Sequence, residues 1–205
     1  MRNIICFGDS NTWGYNPVTK ERYPKNIRWT GILQDRLKHK NIRVIEEGLC
    51  GRTSIYEDRI RPGRKGIDSV QSIFSEYENI DMVVVMLGTN DCKTYNHTTP
   101  EKIAHGVDEC LEAISQYVSY DKILLVSPIH LGKNVWKEEF DPEFSEESVT
   151  ISKGLKSAYK KVAGERNVRF FAASDYVNPS EEDQEHMNEN GHKILADAVY
   201  MHLAV

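Results

Sequence analysis

Cysteine is scarce, and the four present (Cys6, Cys50, Cys92 and Cys110) form no C-x-x-C pair. Four free thiols in a reduced chain are therefore expected. No apolar run approaches the ~20 residues that span a bilayer. The N-terminal stretch Met1–Phe7 runs directly into Gly8-Asp9-Ser10. It lacks the apolar region and small-residue cleavage site of a signal peptide, so a cytoplasmic location is expected. Neither sign of charge dominates: 26 basic residues stand against 31 acidic ones, a net charge of −5. That balance gives no reason to expect a nucleic-acid or anionic-membrane partner. No internal repeat, linker or low-complexity segment breaks the 205 residues, so one domain over 1–205 is expected. A G-x-S-x-G elbow is missing, which argues against the α/β-hydrolase fold.

What the chain does have is alternation. Five short apolar runs read as buried strands: Asn3–Phe7, Arg43–Glu47, Met82–Leu87, Lys122–Ser127 and Val168–Ala172. Continuous apolar runs mark strands buried on both faces. Amphipathic stretches lie between them. Trp29–Leu37 places Trp29, Ile32, Leu33 and Leu37 on one face. Thr99 can cap a helix that starts at Pro100, Ser145 one running toward Arg166, and Asn188 the last one. Strand–helix alternation predicts a five-stranded parallel sheet with helices on both faces. Two long stretches, Tyr15–Ile27 and Ile129–Ser145, fit neither pattern and read as functional loops.

Polar or glycine-rich segments follow the strands: Gly8-Asp9-Ser10-Asn11, Gly48-Leu49-Cys50-Gly51-Arg52-Thr53 and Gly88-Thr89-Asn90-Asp91. Asp183-Gln184-Glu185-His186 precedes the last helix. In open parallel sheets ligands bind beyond the carboxyl ends of the strands, so these segments should converge. Together they compose a nucleophilic site. Ser10 needs a base within hydrogen-bond reach. His186 titrates near neutrality and can be that base. Asp183 can fix its tautomer and stabilise the imidazolium. The backbone N–H groups of Ser10 and Gly51 and the side-chain amide of Asn90 are candidate donors to an oxyanion.

These blocks, in this order, resemble the SGNH (GDSL-type) hydrolases. The segments Gly8–Tyr15, Glu46–Thr53 and Met86–Lys93, with Arg28-Trp29-Thr30-Gly31, resemble a branch of arylesterases and carbohydrate acetylesterases. The resemblance implies a flavodoxin-like three-layer α/β/α sandwich. It also implies nucleophile Ser10, the pair Asp183/His186, and oxyanion donors Ser10, Gly51 and Asn90. It implies an acyl-enzyme on Ser10, short acyl groups on aryl or carbohydrate alcohols, no cofactor and a homo-oligomer. The chain departs from that branch at Asn11, Cys50, Gln184, Glu185 and Met187. Those departures bear on pocket shape and substrate.

Asp9, Asn11, Trp13 and Trp136 are further candidates for substrate contact, and Phe140 and Phe144 give the Ile129–Ser145 loop an apolar content suited to a cleft wall or interface. His39, His97 and His105 sit in polar contexts and read as surface residues, while His192 and His202 read as packing or solvated residues of the last helix. No metal is expected, because a close i, i+4 histidine pair is lacking. Two other readings use parts of the pattern. A thioesterase or lysophospholipase would share the mechanism. A metal-dependent phosphoesterase would use Asp9, Asn90 and Asp91 as ligands and leave Ser10 idle.

Overall fold

The computed structural model describes residues 2–203. Five strands form one parallel sheet: β1 (Arg2–Gly8), β2 (Ile42–Gly48), β3 (Ile80–Met86), β4 (Ile123–Ser127) and β5 (Arg169–Ala172). Their order is β2-β1-β3-β4-β5. This is the flavodoxin-like doubly wound arrangement, whose chain reverses direction across the sheet between β1 and β3.

Side-chain alternation along each strand feeds two separate cores. Ile5 and Phe7 of β1, Val83 and Val85 of β3, and Ile123 and Leu125 of β4 face one side. There they meet α3 (Gly66–Phe74), α4 (Pro100–Ser115) and α5 (Glu146–Arg166). Ile4, Cys6, Met82, Val84, Leu124 and Val126 face the other side. They pack on α2 (Trp29–Leu37) and α6 (Glu189–His202). Both faces are covered, which is why the middle of β1, β3 and β4 is a continuous apolar run. The three layers expected from the sequence are present.

The helix starts follow from local chemistry. Thr99 Oγ1 accepts from the Lys102 amide, with Pro100 in the first turn. Ser145 and Ser148 cap α5 reciprocally, and Asn188 accepts from the Gly191 amide at the start of α6. All four cysteines are unpaired. Among the described residues no helix is long and apolar enough to cross a membrane.

Candidate active site

A single helical turn, α1 (Ser10–Trp13), follows β1 directly. Asp9 caps it, accepting from the Asn11 amide at 2.9 Å, and Gly14 ends it at φ 89°. Ser10 therefore stands at the first helical position, where the helix makes no use of its N–H. Behind this turn the backbone of β2 comes close. A Cβ on Gly48 would lie 2.2 Å from the Trp13 nitrogen. The glycine is required by that approach.

The His186 segment arrives from the far end of the chain. His186 Nε2 lies 2.8 Å from Ser10 Oγ, and His186 Nδ1 lies 2.6 Å from Asp183 Oδ2. The other Asp183 oxygen accepts from the amides of Glu185 and His186 at 3.0 and 2.9 Å. One carboxylate thus folds its own turn and orients the imidazole. Gln184 completes the turn in the left-handed region, φ 62°.

Two elements hold this turn against the sheet. The Gly132 amide, from the segment after β4, donates to the Gln184 carbonyl at 2.7 Å. Asn11 accepts from the Met187 amide at 3.0 Å and donates to the Glu185 carbonyl at 3.5 Å. Tyr15 lays its ring 4.3 Å from the His186 ring.

The segments after β2 and β3 are tied to each other and to β1. Arg52 is buried, with its guanidinium on the Phe7 ring and donating to the Gly8 and Glu47 carbonyls. Asn90 sits in a 3-10 turn, Asn90–Cys92, and donates one amide hydrogen to the Arg52 carbonyl at 3.2 Å. Its second hydrogen is left over. Asp91 is fully buried and accepts from the amide and hydroxyl of Ser54. Gly51 holds φ 81°, a left-handed backbone that favours glycine.

The electrostatics fit a base at His186. Burial pulls its pKa down, but the Glu185 and Asp183 carboxylates more than reverse this and push it up to about 8. Burial acts to raise the Asp183 carboxyl too, but the His186 imidazole and the turn amides hold it below the usual range. Burial pushes the Cys50 thiol up to about 11, with the Asp9 carboxylate adding to the effect, which keeps it protonated and poorly nucleophilic at neutral pH.

Beside the relay lies a cavity of about 310 Å³, walled by Tyr15, Lys20, Phe140, Asp141, Glu185 and His186 among others. The four residues expected to touch substrate are placed differently from that expectation. Asp9 is fully buried and caps α1. Asn11 spends its side chain on the His186 turn. Trp13 is one ring removed from the histidine: it lies against Tyr15 and under Arg22. Trp136 packs on the α4/α5 core and donates to the Lys133 carbonyl. Phe144 is likewise buried in that core, so the loop's apolar content serves its own chain. Phe140 and Tyr15 supply the cavity's aromatic faces instead.

Sequence reasoning missed Tyr15, Arg52 and the anchoring role of Asn11. The signal available for Arg52 was a lone charge among glycines at a strand end; for the others no local signal existed. Of the remaining histidines, His39, His97 and His105 are exposed, while His192 is buried with Nδ1 accepting from the Trp29 amide. Among the described residues no three His, Cys, Asp or Glu side chains are grouped to hold a metal ion.

Comparison with known proteins agrees with this geometry. The GDSL-like lipase/acylhydrolase family model matches residues 6–194. The native aryl esterase of M. smegmatis is 31% identical, over 99% of this chain and 100% of that one, with a TM-score of 0.86. A carbohydrate acetylesterase from Sinorhizobium meliloti is 32% identical, over 97% and 96%, with a TM-score of 0.86. A lipase/acylhydrolase from Enterococcus faecalis shares the fold at 18% identity over 98% and 94%, with a TM-score of 0.70. A comparison with curated proteins returned no match. With nearly its whole length matched, the chain belongs to the GDSL-like lipase/acylhydrolase family and is a carboxylic ester hydrolase.

Proposed function

We propose that the protein is a serine esterase that removes short acyl groups, acetyl above all, from aryl or carbohydrate alcohols through an acyl-enzyme on Ser10. The observation that carries the mechanism is the unbroken relay Ser10 Oγ–His186 Nε2–His186 Nδ1–Asp183 Oδ2, at 2.8 and 2.6 Å. Ser10 Oγ attacks the ester carbonyl as His186 Nε2 takes its proton. The N–H groups of Ser10 and Gly51 and the spare amide hydrogen of Asn90 receive the oxyanion. His186 then passes the proton to the departing alcohol, leaving acyl-Ser10. Water, deprotonated by His186, attacks the acyl carbon, and the acid leaves as Ser10 regains its proton.

The substrate class rests on the neighbours named aryl esterase and carbohydrate acetylesterase. The test is acid-quenched turnover of phenyl acetate with mass analysis of the Ser10 peptide. An acetyl group on Ser10, and loss of turnover in Ser10→Ala, are expected. An acetyl group elsewhere, or near-normal turnover in Ser10→Ala, would overturn the reading. Octanoyl esters should be cleaved far more slowly than acetyl ones, since each methylene without room loses roughly 1–3 kcal/mol. Equal rates would contradict the short-acyl part alone.

A cytoplasmic setting and a homo-oligomer belong to the same reading. The first is supported by four unpaired thiols. The second rests on likeness to the arylesterase branch and is tested by mass in solution, where a monomer would remove it.

A further inference from the structure

Next to the relay, one carboxylate accepts no hydrogen bond among the described residues, and its nearest charge is the His186 ring, a cation only when protonated. Glu185 is only 7% exposed, and its side chain lines the cavity beside His186. Its Oε2 lies 3.8 Å from His186 Nδ1, beyond hydrogen-bond reach. That nitrogen is already taken by Asp183 at 2.6 Å. No donor among the described residues hydrogen-bonds the Glu185 carboxylate. A buried carboxylate without donors is costly. One that opens on a substrate cavity marks a place where the ligand can bring the donor.

The rest of the wall points the same way. Glu143 is neutralised by Lys93 and Arg61, at 2.6 and 2.7 Å. Glu139 and Asp141 also line the cavity and make no ion pair among the described residues, against one lysine, Lys20. An anionic group would meet repulsion there, and an ammonium would meet attraction. Tyr15 and Phe140 add aromatic side chains to the same wall.

We propose that Glu185 is a specificity-determining residue for the alcohol half of the ester, selecting alcohols that bring a cationic hydrogen-bond donor and rejecting anionic ones. This rests on Ser10 being the nucleophile of an esterase. Burial pushes the Glu185 carboxyl up to about 7. A cation docked on it would hold it ionised.

The experiment compares kcat/KM for three acetate esters: meta-(dimethylaminomethyl)phenyl, meta-isobutylphenyl and meta-(carboxymethyl)phenyl. The methylene insulates the phenol, so leaving-group chemistry stays similar. The assay pH lies above the Glu185 value, with the amine still protonated. In the wild type the cationic ester should exceed the anionic one on the order of 100-fold at low salt, with the gap narrowing as salt screens it. Glu185→Gln should cut that ratio about ten-fold, and Glu185→Asp should restore part of it. The ratio cancels any effect on the chemistry common to all three esters. A wild type that cleaves the anionic and cationic esters equally, or a Glu185→Gln variant that keeps the wild-type ratio, overturns the inference. If the neutral ester acetylates Ser10 while the ratio stays near one, this inference alone fails. If none of the three acetylates Ser10, the esterase reading fails and takes this inference with it.

Discussion

At the residue scale, the proposed mechanism makes the charge state of His186 decide when the enzyme works. The base must be neutral to accept the Ser10 proton. With its pKa pushed up to about 8, the rate should fall as pH drops through that value and level off above it. The Glu185 charge acts upward on His186, so Glu185→Gln should move the limb toward lower pH. A pH profile of kcat/KM checks both, and an unmoved limb would show that Glu185 does not act on the histidine. Asn90→Ala should lower kcat on the order of 100- to 1000-fold, the usual cost of one oxyanion donor. A loss below about ten-fold, with unchanged circular dichroism, would remove Asn90 from that role. That Ser10, Asp183 and His186 would meet was legible because each type has a standard chemistry and each stood at a strand end or turn. Asn11 and Tyr15 were not, since their roles depend on contacts with the His186 turn at the opposite end of the chain. Trp136 misled for the same reason: an aromatic in a loop gives no local sign of whether it faces core or cleft.

At the scale of elements, the helix Trp29–Leu37 and the caps Thr99, Ser145 and Asn188 were all readable in advance. The signals there are local: a 3.6-residue period and an oxygen side chain before it. The strands β1 and β2 run one residue further at each end than expected, because their ladder pairing continues past the apolar run from Arg2/Ile42 to Gly8/Gly48. Helix α3 was missed. Its Ile67, Val70 and Phe74 keep the helical period, but serines dilute it and no side chain caps its start. The packing of α1 on β2 makes a direct prediction. In Gly48→Ala the new methyl would press on the Trp13 backbone, which cannot rotate away. Urea unfolding should show a loss of about 1–3 kcal/mol, and activity should drop because α1 carries Ser10. Unchanged stability would mean that β2 and α1 can separate at no cost.

Across the whole molecule, the doubly wound order brings segments from positions 10, 90 and 186 to one end of the sheet. The switch between β1 and β3 is where such sheets bind ligands, and Ser10 and Asn90 follow those two strands. The sequence carried this much through strand–helix alternation alone. It could not show that the loop 129–145 packs a half-buried Trp136 against the α4/α5 core and buries Phe144 in it, because burial depends on the finished packing. One activated serine in the folded chain is central to the proposed chemistry. The most direct measurement is intact-protein mass after exposure to a fluorophosphonate, with and without a chelator. The wild type should gain one phosphonyl group, mapped to Ser10, at a rate the chelator does not change, and Ser10→Ala should gain none. Labelling of Ser10→Ala at the wild-type rate, or a wild type that stays unlabelled, would contradict it.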